Sequence, residues 1–238
     1  MKKIVVLLIL TLTIKGHAQF ARSMFSKDPV INLENFQKQR VYFGFYLGFN
    51  YYDFKIDYNA VGKDILIEKN RGFNVGLVAD LKLQEYVSLR FEPGLYYTKR
   101  DLQYPLPILP KGNLRQVNST NLHFPLLLKF LALRAGNVRP YLLGGVSATL
   151  NLSSNSKSDK DNFDGDENFR VKAWTQNYEL GFGIDIFSEY FIFSPSIRGV
   201  FGLNDELIRD YKFPSTSPYT GRIESMKTRA VFINFTFH

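Results

Sequence analysis

Along most of the chain apolar and polar residues alternate one by one, the period-two signature of β-strands with two unlike faces. The clearest run is residues 40–58. There Val41, Phe43, Phe45, Leu47, Phe49 and Tyr51 share one face, and Tyr42, Gly44, Tyr46, Gly48, Asn50 and Tyr52 share the other. Near Asp53 the greasy set moves to Phe54, Ile56 and Tyr58, for which a bulge is the expected cause. Similar alternation predicts strands over 73–82, 87–98, 120–130, 141–152, 174–186, 190–203 and 231–238. Pro93 and Pro195 interrupt two of them and each removes a ladder donor.

The connections carry the second signal. Tight turns near Gln84, Arg134 and Ser188 alternate with long polar stretches beginning at Asn59, Asp101, Ser153 and Asn204. Outer-membrane barrels show this short-long rhythm, whereas soluble sandwiches have no reason for it. The expected fold is therefore all-β: a transmembrane up-and-down antiparallel barrel of about eight strands, with both termini and the tight turns in the periplasm of a bacterium. Phe43, Phe45, Leu47 and Phe49 are then lipid-facing. Side chains fill a barrel of this size, so an open pore is not expected. Its lumen should hold a polar ladder of Tyr42, Tyr46, Asn50, Arg90, Glu92, His123, Lys129, Glu179, Asp185 and Arg198, with both charge signs for mutual pairing. The first strand exceeds the ~9–11 residues that a tilted strand needs to cross a bilayer. Its far end, at Phe54 and Ile56, is expected to stand outside the membrane and offer a partner contact.

Targeting places the chain in the envelope. Lys2 and Lys3 precede an apolar run, 4–14, then Gly16-His17-Ala18, which reads as a signal peptide over 1–18. Residues 19–39 form a periplasmic leader, either a short amphipathic helix or a loosely ordered segment, and 40–238 form the barrel. Removing Lys2, Lys3 and Lys15 lowers the net charge from +8 to +5, with no basic block of nucleic-acid type. Membrane lipid is the expected neighbour and nucleic acid is not. Aromatic residues make up 16% of the chain, which suits girdles at the two rims of a membrane barrel. There is no cysteine, so neither a disulfide nor a thiol nucleophile is available.

Little in the sequence suggests catalysis, and no enzyme activity, cofactor or metal is expected. His17 leaves with the signal and His238 ends the chain, so His123 is the one candidate base, with Ser119 nearby on the same face. A histidine satisfied within the lumen explains it better, since no acid partner is marked. The acidic stretch 159–167 resembles a calcium loop, but the register that uses Gly165 puts Lys160 and Val171 at ligand positions. Phe235 and Phe237, in the terminal Phe-Thr-Phe-His, resemble the C-terminal signal read by barrel-assembly machinery. That signal usually ends on an aromatic residue, and His238 departs from it.

The leader Pro-Val-Ile-Asn-Leu-Glu-Asn-Phe-Gln-Lys-Gln-Arg, residues 29–40, and the first strand, residues 43–58, resemble the PorT/SprT family of Bacteroidetes barrels. Arg90-Phe91-Glu92-Pro93-Gly94 is similar to the broader group around that family. The resemblance implies an accessory or assembly component of type IX secretion, and of gliding motility where present, whose partners are other outer-membrane secretion components. It carries over no catalytic residue. The alternative is a general small barrel for adhesion, envelope integrity or ligand binding.

Overall fold

The computed structural model describes residues 31–34, 39–59, 64–104, 114–154, 156, 169–210, 217 and 219–238. Ten strands follow in order: β1 Val41–Tyr58, β2 Leu66–Lys69, β3 Arg71–Gln84, β4 Val87–Phe91, β5 Gly94–Gln103, β6 Leu114–Leu131, β7 Val138–Asn151, β8 Trp174–Phe187, β9 Ile192–Gly202 and β10 Ile223–Phe237. All pair antiparallel in one sheet, which closes because β1 bonds β10 on one side and β3 on the other. The break at Pro93 splits one expected strand into β4 and β5, which share the neighbours β3 and β6. Counted as one, they leave a ring of eight, with β2 as an added strand on β5. Closure pairs every strand edge of the ring and leaves none for aggregation.

Several expectations need correction. No bulge occurs at Asp53: the β1–β10 register runs unbroken past Asp53↔Arg229 and first slips between Asp57 and Tyr58. Phe54 lies on the same inward face as Tyr46, Asn50 and Tyr52. The apolar residues change face because the surroundings change. Within the bilayer the outside is greasy; above it the outside is water, and the apolar side chains turn inward. Phe54 is consequently 1% exposed and offers no contact surface, and Ile56 packs partly buried beside it.

The stretch after Asn59 contains β2, whose Leu66 pairs with Gln103. The Asp101–Gln116 stretch is strand at both ends. Within the leader, residues 31–34 form a turn and no helix, held at Asn32 to the far wall: its N–H donates to Asn137 Oδ1 at 3.0 Å, and Arg134 donates to its carbonyl at 2.7 Å. The signal segment 1–18, leader residues 19–30 and 35–38, and the acidic stretch 159–167 lie outside the described residues.

Candidate functional site

The inward residues form three tiers from the tight-turn end to the long-loop end. Lowest is a two-sign cluster. Arg90 on β4 makes a two-pronged contact with Asp80 on β3. Lys129 on β6 donates to both oxygens of Asp185 on β8 at 2.8 and 2.9 Å, and Ser194 donates to Asp185 at 2.7 Å. The His238 ring turns into this cluster, 3.6 Å from Asp80. A cavity of about 30 Å³, room for a single water, opens beside Tyr42, Lys82 and Arg139.

The middle tier continues the chain of charges across the ring. Glu92 receives Arg90 at 3.1 Å and Arg198 of β9 at 2.8 Å; Arg198 in turn lies 3.0 Å from Glu179 of β8. Glu179 meets His123 Nε2 at 2.7 Å, and His123 Nδ1 lies 2.8 Å from the Thr149 hydroxyl. Tyr46 fills the remaining width, its hydroxyl 3.1 Å from that of Tyr96. It fits because Gly76 and Gly94 lie under it: a Cβ on Gly94 would fall 1.9 Å from the Tyr46 oxygen. Burying these ions is costly, and mutual pairing with good geometry offsets the cost.

Of the ten residues expected in the lumen, all face inward, and all but partly buried Tyr42 are buried. They do not act alike. Asn50 is fully enclosed, yet neither amide atom meets a protein partner; its oxygen abuts Gly72. His123 has the acid partner the sequence did not reveal, while Ser119 bonds Asn151 at 3.1 Å instead. Thr149, His123 and Glu179 thus stand in the order of a hydroxyl–base–acid relay. All three are buried, and Arg198 lies 3.0 Å from the other Glu179 oxygen. Asp80, Asn74, Asn234 and Tyr96 belong to the same interior. Their place in the alternation was the available signal, and only their cross-ring partners were hidden. Phe43, Phe45, Leu47 and Phe49 point outward, half to three-quarters exposed. Phe235 and Phe237 also lie outward, Phe237 stacked on Phe45 at 5.3 Å.

The third tier was not foreseen. Phe54, Leu102, Tyr104, Val117, Phe169, Val171, Leu207, Tyr219, Ile223 and Met226 form an apolar core above the polar lumen, drawn from strand ends and long connections. Arg100 lies 3.8 Å over the Phe54 ring at the join between tiers, and Arg115 lies 4.2 Å over Tyr219 at the outer end of β6. Asp210 accepts from Ser217 and Thr220 and ties the last long connection down. Burial pushes the Glu206 carboxyl and the Tyr104 hydroxyl above their ordinary pKa values. On the flank of this cap a cleft of about 200 Å³ is lined by Gln116, Asn118, Ser153 and Phe169.

A closed ring with greasy exterior, polar lumen and apolar core at its mouth defines a small membrane barrel, with no open conduit among the described residues. The family profile described as outer membrane protein beta-barrel domain matches residues 18–207, and the chain belongs to that family. It is accordingly a protein of the outer membrane. No curated protein matches the chain. Among solved structures it is similar to OprG from Pseudomonas aeruginosa, at 15% identity and TM-score 0.45, covering 82% of this chain and 95% of that one. Neisserial surface protein A is similar at 13% and 0.40, covering 84% and 97%. Ail of Yersinia pestis, in complex with a heparin analogue, is similar at 10% and 0.39, covering 84% and 99%.

Proposed function

We propose that this barrel is a non-enzymatic accessory or assembly component of type IX protein secretion, and of gliding motility in cells that glide. The observation that carries the reading is the filled interior. With Arg90, Glu92, Arg198 and Glu179 linked across the ring and an apolar core above them, cargo has no route through the barrel, and its work must be done by its surfaces. The similarity of the leader and first strand to the PorT/SprT family supports the choice of system. In this reading the tight turns and both termini face the periplasm, barrel-assembly machinery inserts the chain through the strand bearing Phe235 and Phe237, and other outer-membrane secretion components are the lasting partners.

Deleting the gene should abolish export of proteins carrying C-terminal secretion signals while other barrels still assemble. Export at the normal level would refute the proposal. Intact export with altered surface binding would instead assign the protein to the general class of small barrels for adhesion or ligand binding.

A further inference from the structure

The outward face changes character abruptly at the long-loop end, and it does so in an unusual way. On four neighbouring strands, β10, β1, β3 and β5, the cations Arg229, Lys227, Lys55, Arg71 and Lys99 stand beyond the greasy positions Val231, Phe49, Phe73 and Tyr97, with Tyr51 and Asp53 between Phe49 and Lys55. Lys55 stands directly opposite Lys227 in the β1–β10 ladder. Arg71 and Lys99 each lie two residues beyond the paired Phe73 and Tyr97, which brings a second like-charged couple to the same face. Like charges facing each other across a ladder repel, and nothing in the fold requires them there.

The acids present do not cancel the five cations. Asp57 reaches Lys55 at 3.6 Å, Asp53 reaches Arg229 at 3.5 Å, and Asp101 reaches Lys99 at 3.6 Å. These contacts are loose, and their cationic ends remain about half exposed. Directly below Arg71 and Lys99 the Phe73 and Tyr97 rings stack at 4.7 Å and form an aromatic shelf at the edge of the greasy band, while Lys55 and Lys227 stand farther out along the ladder, since Tyr51 is the β1 residue opposite Arg71. A cation collar above an aromatic shelf matches one molecule in both halves: acyl chains pack on the rings while an anionic headgroup sits between the paired cations.

The geometry points to a binding surface on the β10–β1–β3–β5 arc for phosphate-bearing anionic lipid in the leaflet at the long-loop end. The lipid phosphate bridges Lys55 and Lys227, and a second bridges Arg71 and Lys99, turning two repulsive couples into attractive ones. Each Lys or Arg near an anionic lipid surface is worth about fivefold in binding.

The test uses the full-length barrel in bilayers of phosphatidylcholine alone or doped with phosphatidylglycerol, with thermal unfolding and retained lipid as readouts. In doped bilayers Lys55→Gln with Lys227→Gln should lower lipid retention at least about fivefold and reduce the thermal gain, and Arg71→Gln with Lys99→Gln should do likewise. In phosphatidylcholine alone the first pair should match or exceed the wild type, because repulsion is relieved. This sign reversal separates lipid binding from simple damage to the fold. Lys172→Gln, on the opposite arc with its Nζ donating to the Asp205 carbonyl at 2.8 Å, should leave retention unchanged. Equal retention by the collar variants and wild type would overturn the proposal. So would inorganic phosphate reproducing the whole thermal gain in phosphatidylcholine, which would identify a free anion as the occupant.

Discussion

The membrane ring and the cap above it are made by the same strands with opposite rules. In the ring, β1 turns Tyr46 and Asn50 inward and Phe45 and Phe49 outward. A few residues on, the same strand turns Phe54 inward and leaves Lys55 exposed. Parity along the backbone never changes; the solvent does. The ring is held by ion pairs in a water-poor interior, where one missing partner leaves a bare charge. The cap is held as a soluble protein is, by apolar burial beneath a charged surface.

The contrast can be broken from either side. Arg198→Met leaves Glu92 and Glu179 without their shared cation and should cost about 3–5 kcal/mol, read as loss of folded barrel on unheated gels or a lowered urea midpoint. Leu102→Ala, in the cap, should cost roughly 2–5 kcal/mol. Its damage should stay local, with protease cutting the long-loop end while the ring keeps its heat-modifiable gel shift. A single transition for both regions would show that the two form one cooperative unit.

At the leader, Asn32→Ala removes the side-chain amide bond to the Phe187 carbonyl, while the backbone N–H keeps its bond to Asn137, and should cost about 1 kcal/mol, visible as faster hydrogen exchange around Phe187. The smallest effect is one of pH. Burial raises the folded-state pKa of Glu206, so the folded cap binds its proton more tightly than the unfolded chain does. The resulting stabilisation is full below the unfolded carboxylate pKa and is lost as pH rises through the folded value. Protease resistance of the cap should therefore improve on mild acidification, and Glu206→Gln should flatten the profile.

The ring was legible in the sequence because its signal is local. Alternation fixed the inward parity of Arg90, Glu92, Glu179 and Arg198, and the turn rhythm fixed their up-and-down order. Partners such as Glu179 for His123, 56 residues away, depend on register around a closed ring, which no local pattern encodes. The cap was misread for a related reason. The parity change at Phe54 and Ile56 reads locally as a one-residue slip, because alternation alone does not say that apolar side chains turn inward once the strand leaves the membrane. Leu102 lies in a stretch whose prolines and polar residues spell loop, and Val117 precedes the expected strand start at residue 120, although both belong to strands.

Closure of the ring joins the first strand to the last, with Phe45 opposite Phe237. That contact has nearly the greatest sequence separation the chain allows, so the seam forms late on any folding route. Until it forms, the sheet is an open ribbon, and Arg198 on β9 has no fixed distance to Glu92 beyond Phe91 on β4. The Arg198–Glu92 link therefore appears only when the ribbon becomes a cylinder, whereas Arg90 and Asp80, opposite each other in the β3–β4 ladder, and Arg198 and Glu179, on the paired strands β9 and β8, can meet before closure.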